Sequence, residues 1–181
     1  MCMATDTVYG LHCSAYSQDS VSRLRALKGS GSRPFIVLVG EPSGLDEVAA
    51  EVSGSARRLV EAHWPGPLTL VVGASPRTPE WLLGPGNSVA VRCPRDPLCS
   101  QVLRRFESPV VSTSANSRGG APCLSGAQAA SEFLDKVDFV VDSGPAPSET
   151  PSTVVDLTVT PHRVVRQGAL RVDSGLLDGR P

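Results

Sequence analysis

The sequence predicts an α/β fold: a single domain in which one main mixed sheet is flanked by helices. Three observations carry this. Short apolar runs of strand length alternate with segments whose apolar residues recur at helical spacing. Some of the connections are too short for helical crossovers, so neighbouring strands cannot all be parallel. At 181 residues, with no internal repeat and no low-complexity linker, the chain has the size of one domain able to bury its own core.

The elements follow in order. Residues 7–11, TVYGL, read as the end of a strand breaking at Gly10. Over 19–28, Val21, Leu24 and Leu27 recur every three residues behind Asp19 or Ser20 as a cap, and Gly29 ends the helix. A loop over 29–34 leads to the continuous apolar run 35–39, which suits a strand covered on both faces. Helices are expected over 45–52 and 55–63. The second stops at Trp64-Pro65-Gly66-Pro67, where two prolines and a glycine cannot continue it. Strands are expected at 68–72, 88–92, 110–112, 139–142, 153–157 and 164–166, with helices at 98–106 and 126–134. The Pro- and Ser-rich stretch 143–152 reads as a mobile surface loop near the site, and the polar tail from residue 172 has little to pack.

Composition excludes several classes. Seventeen Lys and Arg against eighteen Asp and Glu give a net charge of −1, so no bulk positive field drives nonspecific nucleic-acid binding. The five cysteines form no CxxC pair and stand near no histidine at zinc spacing, which argues for reduced, mostly buried thiols and no metal site. The N-terminus has no basic region followed by an apolar stretch, and no apolar run approaches membrane length; a soluble, cytoplasmic protein is expected. Neither a GxxxxGK[ST] loop nor a strand-linked GxGxxG, HExxH or GxSxG motif occurs. The three histidines have no partners at suggestive spacing.

What remains is a set of hydroxyl, amide and cationic residues at expected strand ends and adjoining loops: Thr5, Thr7, Lys28, Arg33, Arg92, residues 112–116, Ser152 and Arg166. Ligands bind at such strand ends in α/β sheets, and Arg or Lys beside Ser and Asn donors suits phosphate and carboxylate. Each residue also has an ordinary reading. Arg92 and Arg166 fit surface ion pairs, Ser114 and Asn116 a turn, Thr5 and Thr7 a plain strand, and Lys28 a plain helix end.

At these same residues the sequence resembles the YrdC family of threonylcarbamoyl-AMP synthases. Six segments match in order: Thr5-Asp6-Thr7-Val8-Tyr9-Gly10-Leu11, Trp64-Pro65-Gly66-Pro67, Val89-Ala90-Val91-Arg92, Thr113-Ser114-Ala115-Asn116, Ser152-Thr153-Val154-Val155-Asp156-Leu157, and Arg166-Gln167-Gly168-Ala169. The resemblance implies a twisted, open mixed sheet of YrdC/RibB-like type with a concave, positively charged ligand cleft, over residues 1–171. It implies threonylcarbamoyl-adenylate formation from L-threonine, bicarbonate and ATP, with Mg²⁺ accompanying the nucleotide. The product would pass to a tRNA threonylcarbamoyl transferase, with tRNA or double-stranded RNA as a further contact. Carried over by motif, Thr5, Arg92 and Ser152 bind threonine, while Lys28, Arg33, Ser112, Ser114, Asn116 and Arg166 bind ATP, Ser112 through its backbone.

This chemistry needs aligned anions more than a side-chain nucleophile, which agrees with the empty motif scans. Two departures stand out. The family's K-x-R pair reads Lys28-Gly29-Ser30 here, so a bidentate phosphate contact is missing unless Arg33 supplies it, and reduced activity is expected. The family's first helix and strand lie upstream of the Thr5 segment, so a sheet position is expected to be vacant. Two other classes share the anion site: a carbamoyl-phosphate-using relative, and a noncatalytic RNA-binding module. The neutral charge and scarce aromatics weigh against the second.

Overall fold

The computed structural model describes residues 1–29, 34–106, 108–117 and 119–177. Eight strands form one mixed sheet, β1 Cys2–Ala4, β2 Tyr9–Ser14, β3 Ile36–Leu38, β4 Leu68–Gly73, β5 Ser88–Arg92, β6 Val110–Ser114, β7 Thr153–Asp156 and β8 Arg163–Arg166, in the order β1-β2-β6-β3-β5-β4-β7-β8. Only β3–β5 and β4–β7 pair in parallel; the other neighbours are antiparallel. Helices α1 Gln18–Lys28, α2 Leu45–Val48, α3 Gly54–His63, α4 Pro97–Phe106 and α5 Gly126–Phe133 pack around it.

The strand period of two sorts the apolar residues onto both faces. Tyr9 and Leu11, with the register partners Val37 and Val111, enter the larger core cluster together with Leu59, Leu70 and Val91. Leu38 and Val110, one residue out of phase, join Met3, Cys99 and Leu103 in a second cluster that includes two residues of α4. Both faces of the central strands are therefore buried, while the edge strand β8 stays largely exposed. Strand ends and turns are left to carry polar chemistry.

Where structure and sequence reading differ, the causes are local. Helix α1 starts one residue earlier because Ser17, not Asp19 or Ser20, accepts from the Ser20 amide. Helix α2 stops at Val48, since Ala49 turns extended and bridges Ala74. The apolar run at 139–142 supplies only an isolated bridge, Val140 to Cys2, whereas Cys2–Ala4 forms the full strand against β2. The tail from residue 172 packs Val172, Leu176 and Leu177 onto the core edge. The stretch 143–152 is tied down: the Tyr9 hydroxyl donates to Gly144 O at 2.7 Å, Ala146 N donates to Leu124 O at 2.7 Å, and Ser148 N donates to Thr7 O at 3.0 Å.

Burial pushes every cysteine thiol up, Cys2 and Cys99 to about 12 and Cys13, Cys93 and Cys123 to about 11, which keeps them protonated and unreactive at neutral pH. Among the described residues no helix is long and apolar enough to cross a membrane.

His12, on β2, is a deeply buried imidazole. It is 2% exposed, its Nε2 lies 3.2 Å from Met3 O, and Nδ1 has no partner. Burial pushes its pKa from the ordinary 6.5 down to about 4. The unfolded chain then takes up a proton near pH 6.5 while the folded chain resists until about pH 4. Stability should be full above pH 6.5 and fall by about 3 kcal/mol as pH drops through that window. Urea midpoints at pH 7 and 4.5 should reveal the slope, and His12→Leu should flatten it.

Candidate functional site

One cavity of about 550 Å³ opens where strand ends meet the turn between β1 and β2. Thr5 and Thr7 come from that turn, Lys28 from the end of α1, Arg92 from the end of β5, Ser112 and Ser114 from β6, and Asn116 from the segment after it. Ser152 precedes β7 and Arg166 ends β8. Eight of the nine site residues read from sequence therefore converge on one space. The ninth, Arg33, and the variant Ser30 lie outside the described residues.

Arg92 is the anchor of one end. It is only 4% exposed, yet lines the cavity. Its Nε donates to Gly66 O at 3.2 Å, Nη1 donates to Thr7 Oγ1 at 3.2 Å, and Nη2 pairs with Asp6 Oδ1. Burial pulls its pKa below the ordinary value, and Asp6 opposes that shift. Thr5 Oγ1 donates to Val8 O at 3.1 Å and stands 3.0 Å from Thr7 Oγ1, so the Thr7 hydroxyl donates to Thr5 and accepts from Arg92. The Thr5 segment and the end of β5, far apart in sequence, thereby act as one rigid unit. The ion-pair alternative for Arg92 holds too, but the pair is buried and faces a ligand space.

At the other end Lys28 spends three donors on the β6 loop: Ser114 O at 3.0 Å, Asn116 O at 2.9 Å and Asn116 Oδ1 at 2.7 Å. Ser114 Oγ donates to the same Oδ1 at 2.6 Å, while Asn116 Nδ2 donates to Ser117 O and Gly120 O. Burial lowers the Lys28 pKa, and Glu132 opposes the shift. The loop is thus cross-braced before any ligand arrives.

Arg166 and Ser152 form the third wall. Arg166 Nε donates to Ser152 O and Nη2 donates to Ser152 Oγ, both at 3.0 Å. Thr69 Oγ1, which the sequence reading missed, stands 2.8 Å from Ser152 Oγ. Gly168 is where these segments touch, because a Cβ there would meet Pro151 O at 2.2 Å and the Ser152 carbonyl carbon at 2.4 Å. Backbone cannot yield as a flexible side chain does. Gly168→Ala should cost about 1–3 kcal/mol in urea unfolding by forcing 151–152 away from Arg166.

The chemistry available is recognition and alignment. Among the described residues no His, Cys, Asp or Glu lines the cavity. Nor does any group of three or more such residues come together to hold a metal. A space of this size, with three cations and several hydroxyl groups, suits a small ligand bearing anionic groups.

The family described as telomere recombination, Sua5/YciO/YrdC, matches residues 1–168. The chain belongs to this family. A putative threonylcarbamoyl-AMP synthase of Mycobacterium tuberculosis is 36% identical over 173 residues, covering 94% of this chain and 79% of that one. The crystal structure of Pyrococcus abyssi Sua5 complexed with L-threonine superposes with a TM-score of 0.88 at 33% identity, over 93% of this chain and 51% of that one. This chain therefore spans about half the length of the archaeal protein. E. coli YciO superposes with a TM-score of 0.83 at 25% identity, over 93% and 83% of the two chains. The Sua5/YciO/YrdC fold accounts for the mixed sheet; five of the six motif segments line the cavity, and the sixth, at Trp64-Pro65-Gly66-Pro67, reaches it through Gly66 O on Arg92.

Proposed function

We propose that this chain is a threonylcarbamoyl-AMP synthase, joining L-threonine, bicarbonate and ATP into threonylcarbamoyl-adenylate and pyrophosphate in the cytoplasm for tRNA modification. One observation carries the reading: Thr5, Arg92 and Ser152 share a single cavity with Lys28, Ser112, Ser114, Asn116 and Arg166. The names of the M. tuberculosis and P. abyssi relatives, the latter with bound L-threonine, support it.

In this reading Arg92 takes the threonine carboxylate, with Thr5 and Ser152 beside it. The threonine nitrogen, after its ammonium group gives up a proton to solvent, bonds to the carbon of bicarbonate as water leaves. A carbamate oxygen then attacks the α-phosphorus of ATP, and the bond to the β-phosphate oxygen breaks to release pyrophosphate. Lys28, Ser114, Asn116 and Arg166 hold the phosphates and adenylate, with Ser112 contributing through its backbone. The protein's contribution is to hold two anionic groups in line in a positively charged cleft. Mg²⁺ would enter on the triphosphate, since the donors lining the cavity are hydroxyls, amides and cations rather than carboxylates. Lacking the arginine of K-x-R, the protein would bind ATP more weakly than a relative that keeps it. The product would go to a tRNA threonylcarbamoyl transferase.

The test follows pyrophosphate release from ATP and labelled bicarbonate. Release that requires threonine is expected. Release driven by carbamoyl phosphate, or RNA binding with no release, would replace this reading with the corresponding alternative.

A further inference from the structure

Asp6 has no place in the chemistry above. It does not line the cavity, its side chain is 9% exposed, and it sits behind Arg92 with Oδ1 on Nη2. Its other oxygen, Oδ2, is buried with no partner. A guanidinium has five N–H groups. Three of those on Arg92 are committed to Gly66, Thr7 and Asp6, which leaves two to meet a ligand.

Arg92 and Lys28 differ in how far their charge is cancelled for this reason. At the Arg92 end, a buried cation and a buried carboxylate in direct contact cancel. At the Lys28 end, the three bonds run to amide oxygens, which carry no formal charge, so the positive charge there is not neutralised by direct contact. An arginine with two uncommitted donors whose charge is cancelled by its partner can still form a fork for a carboxylate. It offers little to a free dianion, whose desolvation needs net opposite charge to offset it.

We propose that Asp6 is a specificity-determining residue: by pairing with Arg92 it cancels the charge of the carboxylate anchor, so that Arg92 takes the carboxylate of a zwitterionic amino acid and does not hold inorganic phosphate. The inference rests on the threonine reading of the Arg92 end. Phosphate groups are thereby left to Lys28 and Arg166 rather than to Arg92.

Calorimetric titration with L-threonine in the absence of ATP, with and without inorganic phosphate, tests this on wild type, Asp6→Asn and Asp6→Glu. Wild-type threonine affinity should not change with phosphate. Asp6→Asn leaves the Arg92 charge uncancelled, so phosphate should now compete and lower the apparent threonine affinity severalfold. Asp6→Glu should restore most of the insensitivity to phosphate. Competition between phosphate and threonine in the wild type would overturn the inference even where Asp6→Asn does not fold. A folded Asp6→Asn whose threonine affinity is still unchanged by phosphate would overturn it too. In that last case, threonine-dependent pyrophosphate release by the wild type leaves the synthase reading standing. A wild type that binds no threonine and releases no pyrophosphate overturns both.

Discussion

Replacing Arg92 with alanine should destabilise the protein by about 3–5 kcal/mol and abolish saturable use of threonine. The stability loss follows from burial: Asp6 would keep a carboxylate in a nearly closed space with both oxygens unpaired, and breaking a buried pair from one side costs this much. Thr7 and Gly66 O would each lose a donor as well, loosening the Thr5 turn from the end of β5. Urea unfolding measures the first effect and pyrophosphate release against threonine the second. The double variant Arg92→Ala with Asp6→Ala should be more stable than Arg92→Ala alone, because no lone charge stays buried. Equal or lower stability in the double variant would mean that the pair contributes little.

Lys28→Met should lower kcat/KM for ATP by about a hundredfold or more, with a much smaller change in KM for threonine. Each charge-assisted hydrogen bond contributes about 1.5–3 kcal/mol, and Lys28 makes three to the loop that carries Ser114 and Asn116. Its loss removes a cation from the phosphate end and also the brace that holds Asn116 Oδ1. Lys28→Arg should not rescue, since a planar fork cannot meet three oxygens that converge on one ammonium. Steady-state kinetics with each substrate varied separates the two constants. An equal loss for both would point to general unfolding of the loop, which a melting curve would detect.

Much of the scaffold could be read in advance because it rests on local rules. Residues 88–92 and the run around 110–114 are apolar stretches of strand length, and Trp64-Pro65-Gly66-Pro67 stops α3 through proline geometry alone. The strand at Cys2–Ala4 escaped notice because three residues carry no periodicity; its strand character comes from pairing with Tyr9–Leu11. The segment 139–142 has the right residues but no neighbouring strand long enough to pair with, beyond one bridge at Cys2.

The site divides along the same line. Residue type and order along the chain were enough to nominate Thr5, Lys28, Arg92, Ser114, Asn116, Ser152 and Arg166, since cations and hydroxyls at strand ends announce anion recognition. Their mutual arrangement was not legible. Asp6 reads as one acid among many until β5 places Arg92 against it, and Thr69 as a strand residue until β7 brings Ser152 within 2.8 Å. Gly168 reads as one residue of a matching segment until Pro151 O passes 2.2 Å from where its Cβ would stand. Propensity, capping and apolar period are properties of neighbours in sequence. Charge cancellation, hydrogen-bond saturation and steric exclusion depend on distances between residues remote in the chain, and those distances exist only once the sheet order is set.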